Sequence, residues 1–200
     1  MIVTLFLWLF YTLPAGQTSN ALDFLTRNQT RPYTVRVSKL LCTDQPYKHV
    51  EVHVCNVKLQ RNKPAVFNLH FTVLKPANFV RFMITMNYKY NTYTPFLEKL
   101  DFELCSYIAN DWKKGTNKMA DLFLELATAQ IEWIKKCPYY VMGRYNVTDF
   151  EIRTDMLPQF VPAGDFRFDF RTFTENNETL LNFQLFCNIR ARGVFDLSMG

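Results

Sequence analysis

The feature that most limits what this chain can fold into is a period of two that returns along its length. Phe67, Leu69, Phe71 and Val73 alternate with Asn68, His70 and Thr72. Val80, Phe82, Ile84, Met86 and Tyr88 alternate with Arg81, Met83, Thr85 and Asn87. Phe166, Phe168 and Phe170 alternate with Arg167, Asp169 and Arg171, and Leu181, Phe183, Leu185, Cys187 and Ile189 share one face of a last run. Successive side chains of a strand point to opposite faces, so each run reads as a strand with one apolar side. Residues 36–42, 50–59 (Val50, Val52 and Val54 against His49, Glu51 and His53) and 148–152 read the same way. Antiparallel strands of this kind bury their apolar faces as a two-sheet sandwich, so the expected fold is mainly β and immunoglobulin-like. Lys75-Pro-Ala-Asn78 separates two of the runs by four residues, which predicts a hairpin between them.

One segment changes period. Over residues 116–136, Met119, Leu122, Phe123, Leu126 and Trp133 follow spacings of three, four and seven. Thr116 is placed to cap the start, Lys135 and Lys136 suit the negative end of the helix dipole, and Pro138 stops continuation. This predicts one amphipathic helix inserted in the sandwich. Its apolar stripe suits packing on the core; the sharper alternative is a lid over a pocket or a membrane-facing surface.

The N-terminus points to a compartment. Residues 2–13 are an apolar run with no charge before Asp23, followed by Ala15, Gly16, Ser19 and Ala21. About a dozen apolar residues fit a signal-peptide core and are too few to span a bilayer. The expectation is a signal over residues 1–21, cleaved between 15 and 21, with an uncleaved anchor as the alternative. Residues 22–200 then form a single domain, secreted and extracellular, with no transmembrane segment in the mature chain. Three glycosylation sequons agree with secretion: Asn28-Gln-Thr, Asn146-Val-Thr and Asn177-Glu-Thr.

Five cysteines, Cys42, Cys55, Cys105, Cys137 and Cys187, include no Cys-x-x-Cys pair, so they read as a disulfide set with one thiol over. If residues 36–42 and 50–59 form a hairpin centred on Lys48–His49, Cys42 lies opposite Cys55. A Cys105–Cys137 bridge would tie down the two ends of the helical excursion. Cys187 falls on the apolar face of the last strand.

Hydrophobic residues make up 48% of the chain and charged residues 20%, which excludes a disordered segment. The net charge of +5 is spread out rather than gathered in a basic stripe. The aromatics alternate inward with aliphatics, whereas a stacking platform exposes them. Nucleic-acid binding is therefore not expected. No Gly-x-Ser-x-Gly, His-Glu-x-x-His or phosphate loop occurs, and no cofactor motif is present. His49, His53 and Glu51 share a strand face, the nearest approach to a metal site, but ordinary surface histidines are expected and no metal. Arg167-Phe-Asp-Phe-Arg171 reads as cross-strand ion pairing, not catalysis. The chain is not expected to be an enzyme.

A family resemblance rests on a set of elements in order. These are Cys42; Val52-His-Val-Cys-Asn-Val-Lys58; Asn87-Tyr-Lys-Tyr-Asn-Thr-Tyr-Thr-Pro-Phe96; Phe102-Glu-Leu-Cys105; a helix; Cys137-Pro-Tyr139; and Leu157-Pro with Pro162-Ala-Gly-Asp-Phe166. In combination they resemble a large insect family of secreted proteins of unknown function. That family is similar to the ganglioside-activator-like lipid-recognition (ML) superfamily and includes chemosensory members linked to pheromone taste. The resemblance implies an immunoglobulin-like sandwich open at one end as an apolar cup. It matches Cys42, Cys55, Cys105 and Cys137 to four recurring cysteines and leaves Cys187 outside the pattern. Cys187 is then a buried free thiol, the partner of Cys42 by analogy with more distant lipid-binding relatives, or an intermolecular link.

Aromatic residues are 16% of the chain, 19 of them Phe. Inward-facing, they either fill a core or line a cavity. The expected function is a carrier or presenter of a small apolar ligand, lipid or pheromone-like, with a cell-surface receptor as a further partner. The candidate pocket residues are Phe67, Phe71, Phe82, Ile84, Phe166, Phe168, Phe183 and Leu185. The alternative is an extracellular protein-interaction module with a filled core and no ligand.

Overall fold

The computed structural model describes residues 33–61, 63–97, 99–109, 117–152 and 161–191. The segment expected to be a signal peptide, Asn28, Thr116 and Leu157-Pro lie outside these residues. All that is described belongs to one compact unit, residues 31–200.

Among the described residues, nine strands form two antiparallel sheets. They are β1 (Tyr33–Cys42), β2 (Val50–Lys58), β3 (Val66–Val73), β4 (Arg81–Lys89), β5 (Tyr93–Pro95), β6 (Leu100–Glu103), β7 (Arg144–Glu151), β8 (Gly164–Phe173) and β9 (Thr179–Ala191). The larger sheet runs β1-β9-β8-β4, with β5 and β6 both pairing along the outer edge of β4. The smaller sheet runs β2-β3-β7. The expected sandwich is therefore present, mainly β and immunoglobulin-like. Its core holds Leu69, Phe71 and Val73 from the small sheet against Phe82, Leu181 and Leu185 from the large one.

The sheet assignment of neighbouring strands differs from expectation twice. β3 and β4 alternate as predicted but do not pair; they lie in different sheets. Residues 74–80 arch between the sheets. Ala77 exchanges backbone hydrogen bonds with Tyr139 (3.0 Å each way), while the carbonyl of Val80 accepts from Leu104 N at 2.8 Å. β1 and β2 also belong to opposite sheets. Cys42 and Cys55 are bonded to each other, but across the sandwich and not across a hairpin. Consecutive strands that bury their apolar faces against one another need not share a ladder, because face-to-face packing uses the same alternation as pairing.

β7 carries a bulge. Phe67 lies opposite Phe150 while Leu69 lies opposite Val147, so residues 148–149 have no single partner on β3. Asp149 takes a positive φ of 49° there. The extra residue reverses parity: Tyr145 and Val147 are buried, Thr148 is exposed, and Phe150 and Ile152 turn back toward the core.

The helical segment is shorter and more broken than the sequence predicts. A six-residue helix, α1 (Leu104–Ala109), precedes it, started by the Glu103 carboxylate, which accepts from Cys105 N and Ser106 N. Burial by itself pushes the Glu103 carboxyl up, but the bonds from Ser106, Val80 and Cys105 hold it below its ordinary value. The main helix, α2, spans Lys118–Gln130 and is capped by Asn117, whose Oδ1 accepts from Met119 N and Ala120 N at 3.1 Å. It stops at Ile131, where the backbone is extended, and a 3-10 turn (Glu132–Lys135) follows. The Gln130 side chain bonds the backbone of Glu151 in both directions, which fastens this end to β7.

Candidate functional site

A cavity of about 690 Å³ lies between the two sheets, with α2 closing one side. Each wall follows from the alternation. β3 supplies Phe67, Leu69, Phe71 and Val73; β4 supplies Phe82, Ile84 and Met86; β8 supplies Phe168 and Phe170; β9 supplies Phe183, Leu185 and Cys187. The predicted pocket residues Phe67, Phe71, Phe82, Ile84, Phe168, Phe183 and Leu185 are thus together on one void. Phe166 is not. It shares the inward face of β8, but at the far end of the strand, fully buried in a separate cluster with Tyr33, Val161 and Ile189. The rings of Tyr88 and Phe96 meet it edge-on at 5.1 and 5.7 Å. Parity gives its face correctly; the depth of the void along the strand decides that it is core.

The void persists because α2 bridges both sheets. Phe123 packs on Phe82 (ring centroids 5.1 Å) and on Phe170 (6.4 Å) in the large sheet. The other end of the helix is tied to β7 in the small sheet through Gln130. The helix stripe singled out from the sequence, Met119, Leu122, Phe123, Leu126 and Trp133, lines the cavity throughout. Phe150, Ile152 and Phe170 also line it and were not among the pocket candidates. The alternation of β8 carried a signal for Phe170, and that of residues 148–152 carried one for Phe150 and Ile152.

Aromatic contacts stiffen the walls. Phe170 stacks on Phe183 at 4.6 Å, and Trp133 meets Phe71 (5.7 Å) and Tyr139 (6.0 Å) edge-on. The polar atoms of the inner lining are turned outward or already bonded. Trp133 Nε1 donates to the carbonyl of Asn146 (2.9 Å), Tyr139 Oη to Ile134 (3.0 Å) and Thr172 Oγ1 to Leu181 (3.2 Å). Burial pushes the Tyr139 phenol up and the Cys187 thiol up to about 12, so both stay neutral at ordinary pH. Cys187 is a buried free thiol; Cys42–Cys55 and Cys105–Cys137 are the two disulfides among the described residues. The exposed lining residues are Lys99 and Met119, which mark the mouth between the 97–101 segment and the start of α2. Asp101 there is held bidentately by Arg81 (2.8 Å twice) and approached by Lys99 (3.2 Å). The Arg81 bonds hold its carboxyl below its ordinary value.

The histidines are dispersed onto separate partners. His49 Nε2 meets Glu178 at 2.6 Å, His53 bonds the Thr72 hydroxyl at 2.8 Å, and His70 bonds the Thr148 hydroxyl at 3.0 Å. Among the described residues, no group of three or more His, Cys, Asp or Glu is placed to hold a metal. Arg167 pairs with Asp169 at 2.8 Å along its own strand rather than across strands, and Asn87 Nδ2 from β4 completes the carboxylate at 3.0 Å. Asn146 and Asn177 are both exposed, the first on β7 and the second in the β8–β9 turn. No helix among the described residues is long and apolar enough to cross a membrane.

Comparison with known proteins gives one family match. Residues 80–168 match the model described as "Protein of unknown function (DUF1091)". That stretch runs from the start of β4 through the helices and both cysteines of the second disulfide to Phe168. No curated protein matches the chain. Among solved structures it is similar to a Niemann-Pick type C2 protein from Japanese carpenter ant, at 15% identity and a TM-score of 0.31, covering 76% of this chain and 89% of that one. Over residues 80–168 the chain is thus similar to the DUF1091 family of proteins of unknown function.

Proposed function

We propose that this domain is a secreted carrier or presenter of one small apolar ligand, lipid or pheromone-like, held in the cavity between its sheets. The observation that carries the reading is a void of about 690 Å³ in whose wall the indole of Trp133 and the hydroxyls of Tyr139 and Thr172 are already bonded to the backbone. Its volume lies within the roughly 300–1,000 Å³ of small-molecule sites. A ligand with several polar groups would lose their bonds to water and find no partners inside. An apolar chain or ring system loses nothing and gains about 25 cal/mol for each Å² removed from water. A polar group on the ligand is accommodated at the mouth, beside Lys99 and Asn117. The chemosensory members of the resembling family extend the reading to presentation at a cell-surface receptor.

The test is native mass spectrometry of protein from a eukaryotic secretory host, with uptake of an apolar fluorescent probe measured alongside. A discrete extra mass that vanishes on denaturation, and probe uptake blocked by Leu126→Trp, is the expected result. A bare mass with no probe uptake would sink the carrier reading and favour a protein-interaction module.

A further inference from the structure

Two loops at one end of the sandwich run side by side and present large apolar side chains to water. Met142 N donates to the carbonyl of Val73 (2.7 Å) and Val73 N to that of Gly143 (3.1 Å), which sets residues 74–76 beside residues 139–143. Leu74, Tyr140, Val141 and Met142 are four of the seven most exposed large hydrophobics among the described residues, with Tyr140 at 67% and Met142 at 71% exposure. The other three, Leu59, Tyr90 and Met119, lie in other segments of the chain, as scattered surface residues normally do. Met142 is held outward at a positive φ of 59°, a conformation that side-chain-bearing residues adopt only at a cost.

The tip is built rigidly. Tyr139 is buried and bonded to Ala77, Tyr140 N donates to Tyr145 Oη (3.0 Å), and the Cys105–Cys137 disulfide anchors the approach. Around the apolar residues stand exposed cations: Lys75 beside Leu74, Arg144 beside Gly143, and Lys135 and Lys136 leading in. Some of the acidic groups nearby are engaged. Glu132 opens the 3-10 turn, Glu51 is exposed across Thr72 from Arg144, Glu103 is committed to the backbone N–H groups of Val80, Cys105 and Ser106, and Glu178, below His49, already holds Lys48 (2.8 Å) and His49 (2.6 Å).

We propose that this tip is a docking surface for an anionic lipid bilayer. Tyr, Met and aliphatic side chains set at the level of the headgroups, ringed by Lys and Arg, match such a surface in both apolar content and sign of charge. A rigid scaffold places them without an ordering cost at the moment of contact. Ala77 and Tyr139, at the base of the tip, also line the cavity. The inference stands whether or not the cavity holds a ligand.

The experiment is sedimentation of the secreted, glycosylated protein with vesicles of phosphatidylcholine, with and without phosphatidylserine. The parent protein is expected to sediment with the anionic vesicles, less so as salt rises. Tyr140→Ser with Met142→Ser, and separately Lys75→Glu with Arg144→Glu, should each weaken binding about tenfold or more. All four residues are exposed, so the fold tolerates the changes. Tyr90→Ser, on another exposed loop, should bind like the parent. The proposal is overturned if the parent does not sediment, which would leave the tip to a protein partner. It is equally overturned if only the charge reversal matters, which would make the binding unspecific electrostatics, or if Tyr90→Ser loses as much as the tip variants.

Discussion

Phe166 and Phe168 sit two residues apart on the same face of the same strand, yet they live in different surroundings. Phe166 is fully buried, wrapped by Tyr88, Phe96 and its cluster neighbours. Phe168 is only half-buried and faces the void. One end of the sandwich is closed by close-packed rings, and the rest is held open by a helix that touches both sheets. The alternation that puts both rings inside says nothing about whether the inside is full.

The largest expected effect tests the closed end. Phe166→Ala should destabilise the domain by about 3–5 kcal/mol, the usual cost of emptying a packed aromatic site. Phe168→Ala should cost less than about 2 kcal/mol, because the ring already borders empty space. Urea unfolding of the two variants reads the difference directly. Equal losses would break the comparison and mean that the cavity is filled in solution.

Replacing Cys42 and Cys55 with Ala tests the join between the sheets. The bond spans a sequence separation of 13, and its loss should cost about 3 kcal/mol through loop entropy alone. A thermal melt with and without an apolar probe sharpens the point. The probe should restore more of the lost stability than it adds to the parent, since it fills the space the freed sheets would lose.

The smallest effect concerns Cys187, which pairs with Phe166 in the ladder at the border of the two regions. Burial raises its thiol from 9.0 to about 12. The unfolded chain releases this proton above pH 9 while the folded chain keeps it until about 12. Stability from the neutral buried thiol is therefore complete below pH 9 and declines as pH rises toward 12. Urea midpoints at pH 8 and pH 10 should fall further for the parent than for Cys187→Ala. Equal declines would mean that the thiol meets water.

Face assignment was legible in the sequence because it depends on neighbours two positions away. Phe67, Phe71, Phe82, Ile84, Phe168, Phe183 and Leu185 all reach the cavity on that rule. Sheet membership was not legible, because it depends on distant partners. The arch of residues 74–80 is fixed by Tyr139 and Leu104, and nothing in Lys75-Pro-Ala-Asn78 announces them. The Cys42–Cys55 pairing was foreseen from a hairpin that does not form. Phe150 and Ile152 face inward as the period of 148–152 has it, but the β7 bulge puts Thr148, of the same parity, outside. Helix α1 was too short for periodicity to register, and Glu103, whose carboxylate starts it, is not a residue type that marks a helix start.

The disulfide from β1 to β2 gives the sandwich a spine. Like a book bound along one margin, its two covers cannot part where Cys42 and Cys55 hold them, and their separation there is a matter of covalent bonds. The opposite margin is kept apart by α2, which rests on rings on one side and on the Gln130–Glu151 hydrogen bonds on the other. Any breathing of the molecule must therefore be one-sided. Selection on the size of what the cavity admits would act on the helix, and the β1–β2 margin would stay the same width in every version of the protein.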